Sequence, residues 1–148
     1  MISKGTLRLV LLSSSNLASH KNKGTVSLSL TYFLRETSMI SFSVGNVEAY
    51  CEASMGSQEE KTMVVAGSNP HWNSSMQFLI KDLSQDILSL TVFDRDYFSP
   101  DEFLGRTEIR IEDIIEGCEE RRGPVTRVLK LLEAESGVIT VKLDVQLF

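Results

Sequence analysis

The sequence predicts an all-β fold, an antiparallel sandwich or barrel of eight short strands. Three observations predict it. Apolar and polar residues alternate with a period of two in short runs along the chain. Clusters of Gly, Asn, Ser and Pro punctuate those runs. The closing run Val141-Lys142-Leu143-Asp144-Val145-Gln146-Leu147 alternates without a break, as a strand with one wet face does.

The first strand spans residues 6–12, where Leu7, Leu9 and Leu11 alternate with Thr6, Arg8 and Val10. Ser13 to Asn16 and the turn residues up to Gly24 punctuate its end. The second spans 48–54, with Tyr50, Glu52 and Ser54 facing opposite to Cys51 and Ala53, and Gly56 stops it. A third spans 61–66 and is closed by Gly67-Ser68-Asn69-Pro70. Strands over 76–80, 88–93, 107–111, 128–132 and 138–147 complete the set. Residues 83–87 and 111–115 read as helical turns. The core expected from this alternation is Leu7, Leu9, Trp72, Phe78, Leu90, Val92, Leu104, Ile109, Val141 and Leu143.

Residues 25–47 break the rhythm. Val26, Leu28 and Leu30 alternate with serines and Thr31, so the segment is read either as holding a strand or as a long loop. Unstructured loops of this length are uncommon in compact domains.

The chain has 148 residues and a net charge of −5, which suits one domain and disfavours nucleic acid as the main partner. Cys51 and Cys118 form no Cys-x-x-Cys pair and no zinc spacing. Both read as free thiols, which suits the cytoplasm, and Cys51 reads as a small buried hydrophobe. No secretory leader, lipidation motif or apolar run of the roughly 20 residues a membrane span needs is visible. Any membrane contact is therefore expected to be peripheral. His20 and His71 sit in polar turns without a nucleophile motif, the glycines form no phosphate loop, and Arg121-Arg122 is a small solvated basic spot. No enzyme is expected.

The strongest chemical signal is Phe93-Asp94-Arg95-Asp96-Tyr97-Phe98-Ser99-Pro100-Asp101-Glu102-Phe103-Leu104-Gly105. Several carboxylates share one connection between strands, which is the crowding a hard cation such as calcium requires. A solvated acidic loop is the competing reading. Tyr97 and Phe98 precede Ser99-Pro100 at its apex. There they either enter a lipid headgroup layer or, in the case of Phe98, pack under the loop.

Asn69-Pro70-His71-Trp72-Asn73, and the run from Leu88 to Asp96 closed by Phe103-Leu104-Gly105, resemble the signatures of the C2 domain family. Further matches in 50–58, 98–109, 123–126 and 144–148 resemble, within that family, the C2 domain that ends a group of multidomain endocytic scaffolds. The resemblance is loose over 5–24 and good over 48–148. It implies an eight-stranded antiparallel C2 β-sandwich of type II topology, spanning residues 4–148, with 25–47 as an insert in the first cation-end loop. It also implies a monomeric, cytoplasmic module, peripheral at the plasma membrane and at endocytic sites. Any exchange activity of such scaffolds would lie in another part of the protein.

Carried over residue by residue, the family's cation ligands fall on Lys21, Glu48, Asp94, Asp96 and Glu102, with Asp101 beside the last as an alternative. Lys21 brings an ammonium to a cation site, so the resemblance implies weak calcium binding or none. The strand matching the family's lysine-rich phosphoinositide face begins Glu59-Glu60-Lys61 and is not polybasic. Two functions are expected from these residues. One is a peripheral module for anionic phospholipid surfaces, touching them through Tyr97 and Phe98. The other is a protein-interaction or intramolecular packing module that binds no lipid.

Overall fold

A computed structural model describes residues 3–19, 47–116 and 123–148, together with the backbone of 26–28 and 40–42. His20, Lys21, Cys118, Arg121, Arg122 and the side chains of 25–46 lie outside the described residues.

The strands are β1 (Gly5–Ser15), β2 (Val26–Leu28), β3 (Ile40–Phe42), β4 (Glu48–Met55), β5 (Gln58–Lys61), β6 (Val65–Ala66), β7 (His71–Ile80), β8 (Ile87–Asp94), β9 (Glu102–Arg110), β10 (Val125–Lys130) and β11 (Val138–Leu147). A helix, α1 (Ile111–Glu116), follows β9. Two sheets carry the sandwich. The first runs β10-β11-β1-β7, and the second runs β5-β4-β8-β9 with β6 also on β4. The pairings β1–β11, β1–β7, β10–β11, β4–β8 and β8–β9 are all antiparallel. The last strand lies directly beside the first, in keeping with the type II arrangement. β2 and β3 pair antiparallel in a separate two-stranded sheet.

The period of two decides which side chains go inside. On β1, Leu7, Leu9 and Leu11 are buried while Arg8 is exposed. On β4, Ala49, Cys51, Ala53 and Met55 are buried, and on β8, Leu88, Leu90 and Val92 are. Ile139, Val141, Leu143 and Val145 of β11 face them with Met76, Phe78 and Ile80 of β7. Each Leu, Ile, Val, Phe or Met side chain among them, withdrawn from water, stabilises the fold by about 1.5–3 kcal/mol before chain entropy is counted. Ile111 and Ile114 of α1 belong to the same core. Eight of the ten expected core residues are buried, whereas Trp72 and Ile109 are only partly buried and pack against the core. Val47 is buried in the core, so the last residue of the 25–47 segment belongs to the sandwich.

Several boundaries differ from the expected ones. The strand read over 61–66 is two pieces, both paired with β4. Thr62 turns inward between them: its amide donates to the Cys51 carbonyl at 2.9 Å, and its Oγ1 accepts from the Cys51 amide at 3.0 Å. A local side-chain bond here takes over from the ladder. The strand read over 128–132 is Val125–Lys130, and the one read over 107–111 begins at Glu102. Near the end of β1 the register slips between Leu11 and Ser13. This bulge turns Ser14 inward, where its hydroxyl donates to the Val138 carbonyl at 2.6 Å. The turn read over 83–87 is held by the Asp86 amide donating to the Asp82 carbonyl at 2.9 Å.

The Phe-Leu-Gly run also has a structural cause. A Cβ at Gly105 would sit 2.8 Å from the Ala134 Cβ and 3.0 Å from the Leu131 Cβ. The segment after β10 therefore packs directly against bare backbone. Arg106 and Leu132 then exchange backbone bonds of 3.1 and 2.7 Å across the same approach.

Candidate functional site: the loop between β8 and β9

The Asn-Pro-x-Trp-Asn segment fastens the end of the sandwich from which the site projects. The Asn16 amide donates to Asn69 Oδ1 at 2.9 Å, the Leu17 amide to the Ser68 carbonyl at 3.0 Å, and the Ser14 amide to the Pro70 carbonyl at 3.0 Å. Trp72 Nε1 donates to the Ala49 carbonyl at 3.0 Å, joining β7 of one sheet to β4 of the other. The motif that reads as a family signature is, physically, a set of inter-sheet and inter-loop ties.

β4, β8 and β9 lie side by side, and their register sets Glu48, Asp94 and Glu102 at one end of the sheet. Ala49 pairs with Asp94, and Asp94 with Glu102. Asp94 is 1% exposed, and its Oδ1 accepts the Glu48 amide at 3.0 Å. The Arg95 amide donates back to the Glu48 carbonyl at 2.8 Å. Glu102 Oε2 accepts the Ser19 hydroxyl at 2.6 Å.

The other two carboxylates shape the apex. Asp96 Oδ1 accepts the Phe98 amide at 2.9 Å and the Ser99 amide at 3.3 Å, and its Oδ2 accepts the Ser99 hydroxyl at 2.6 Å. This is the way Asp commonly closes a turn over its own backbone. Asp101 Oδ1 accepts the Asp96 amide at 3.0 Å, while Oδ2 accepts the Tyr50 hydroxyl. The Asp96 amide and the Tyr50 hydroxyl hold the Asp101 carboxyl below its usual range. Burial, followed by the bond to Asp101, pushes the Tyr50 hydroxyl above its own.

Among the described residues, four of the five carboxylates expected at a cation site have different hydrogen-bond partners. Asp94 faces the Glu48 backbone, Glu102 faces Ser19, Asp96 faces the apex, and Asp101 faces Tyr50. Among the described residues, no three His, Cys, Asp or Glu side chains are grouped so as to hold a metal ion. Calcium needs six to eight oxygens converging on one point, and the oxygens of the described residues do not converge in this arrangement.

At the apex, Phe98 is 101% exposed and Tyr97 66% exposed. Phe98 does not pack under the loop. The Arg95 guanidinium lies over the Tyr97 ring, 5.0 Å from its centroid. Below the apex, Tyr50 stacks on Phe93 with centroids 5.5 Å apart, and Phe93 meets Phe103 edge-on at 6.4 Å. Tyr50 is the residue that sequence reading passed over. Its outward position on its strand was legible, but its meeting with Asp101, 51 positions away, was not. Cys51 is fully buried, and burial pushes its thiol up, so it behaves as a small apolar residue. No helix among the described residues is long and apolar enough to cross a membrane.

The family model for the C2 domain matches residues 5–124. The chain is 54% identical to intersectin-1 of Xenopus laevis over 105 residues, 70% of this chain and 6% of that protein. It is 51% identical to intersectin-2 of Mus musculus over the same share of each. It therefore spans a small part of the length of these relatives. Among solved structures, a C2 domain of plant extended synaptotagmin 1 superposes with a TM-score of 0.71 at 16% identity, covering 97% of this chain and 95% of that one. The order of the strands, the inter-sheet ties made by the Asn-Pro-x-Trp-Asn segment and the family match agree: this chain belongs to the C2 domain family.

Proposed function

We propose that this C2 domain is a non-enzymatic, peripheral phospholipid-binding module of a larger endocytic scaffold, working without a requirement for calcium. The observation that carries the reading is the apex of the β8–β9 loop. Phe98 is wholly exposed there beside Tyr97, on a turn closed by Asp96. An apolar ring held out into water gains nothing in the free domain. Transfer of such a side chain out of water stabilises the bound state by about 1.5–3 kcal/mol. That is enough for weak, reversible contact and too little for a stable anchor, which takes two signals. A larger protein supplies the second by linking several weak contacts. The acidic apex and the net charge of −5 bring no attraction to an anionic surface, so insertion of the aromatic pair carries the binding. Residues 25–47 enter the proposal as an accessory insert in the first cation-end loop, with Val47 contributing to the core.

Liposome co-sedimentation tests the reading, with neutral, phosphatidylserine-containing and phosphoinositide-containing vesicles, each in chelator and in calcium. Binding is expected in chelator. Phe98→Ser is expected to weaken it by about tenfold or more, the equivalent of the lost transfer energy. Absence of binding to all three compositions in both conditions would overturn the membrane reading and favour a protein partner.

A further inference from the structure

We propose that the Tyr50 hydroxyl, closing on Asp101, is the positioning group of the β8–β9 loop and takes the part that a bound cation plays where loop carboxylates converge. The inference rests on the membrane reading for its purpose. Its structural content stands on the loop alone.

A loop carrying Asp94, Asp96, Asp101 and Glu102 is pushed open by like charge unless something offsets it. A cation among the carboxylates is one solution. Here donors from the protein do the work along a continuous path. The Tyr50 ring is fixed on the outward face of its sheet by stacking on Phe93, which in turn abuts Phe103. Its hydroxyl therefore reaches Asp101 from a rigid base. Asp101 passes the constraint to the Asp96 backbone, and Asp96 passes it to the amides of Phe98 and Ser99. Sheet, latch and apex form one chain of charge-assisted bonds, which are the stronger class. A cation drawing Asp96 and Asp101 to a common point would compete with the bonds that shape the apex. The latch shapes the apex without a cation, and the structure assigns this domain the latch.

Tyr50→Phe tests this, because it keeps the ring stack and removes only the hydroxyl. Amide hydrogen exchange is read at Asp96, Phe98 and Ser99 in the 148-residue chain, in chelator and in excess calcium. In the wild type these amides are expected to be protected in chelator and little changed by calcium. In Tyr50→Phe they are expected to exchange about tenfold faster, as the loss of a bond to a charged acceptor implies, with β8 amides unchanged. Unprotected amides in chelator that become protected on adding calcium would overturn the proposal. So would equal protection in Tyr50→Phe and the wild type. Co-sedimentation separates the two readings: wild-type binding that disappears in chelator overturns the latch. A protected loop that Tyr50→Phe loosens supports it, even where no vesicle binds and the membrane reading fails.

Discussion

Trp72 ties the two sheets together, and its replacement gives a graded test of how much. The indole packs partly buried against the core and donates Nε1 to the Ala49 carbonyl at 3.0 Å. A fully buried Trp→Ala change costs about 3–5 kcal/mol. Partial exposure lowers the packing share here to about 2–3 kcal/mol, and the lost hydrogen bond adds about 1 kcal/mol. Trp72→Ala is thus expected to destabilise by about 3–4 kcal/mol, a large part of what a domain of this size holds in reserve. Trp72→Phe keeps most of the apolar contact and drops the donor, so about 1–2 kcal/mol is expected. Urea denaturation measures both, with an unchanged m-value showing that the unfolded state is comparable. A loss below about 1 kcal/mol in Trp72→Ala would refute the bridging role, since packing and hydrogen bond together exceed it. Wild-type stability in Trp72→Phe would show that the bond to Ala49 contributes nothing net.

Gly105→Ala places a Cβ 2.8 Å from that of Ala134, and overpacking of this kind is expected to cost about 1–3 kcal/mol by urea denaturation. Combining it with Ala134→Gly should recover part of the loss, and absence of any recovery would mean that the Leu131 contact dominates. Deleting residues 25–46 and joining Gly24 to Val47 is expected to leave a folded monomer of equal or greater stability, read by gel filtration and urea denaturation. The join keeps Val47, which is buried in the core. Lengthening a surface loop costs little entropy, so shortening one gains little. Global unfolding would show that a sandwich strand had been removed.

Local pattern determined most of the fold. Leu7, Leu9 and Leu11 on β1, and Val141, Leu143 and Val145 on β11, show in the sequence which face is wet, because the strand period is two and burial is all on one side. The carboxylates of residues 94–102 and the aromatic pair at 97–98 were also legible as one loop, since they are contiguous. The tertiary structure decided what those residues do. Period and spacing show that Asp96 and Asp101 share a loop with Tyr97 and Phe98. They do not show where each carboxylate oxygen points. That depends on which donors folding brings within hydrogen-bonding reach, here the Tyr50 hydroxyl from β4 and the loop's own amides of Asp96 and Phe98. Likewise, the Asn-Pro-x-Trp-Asn run was recognisable as a signature, but only the packing of β7 on β4 made Trp72 a tie between sheets. A side chain's type and its face are local properties of the chain. Its partner is a property of the contacts that folding creates between residues far apart in sequence.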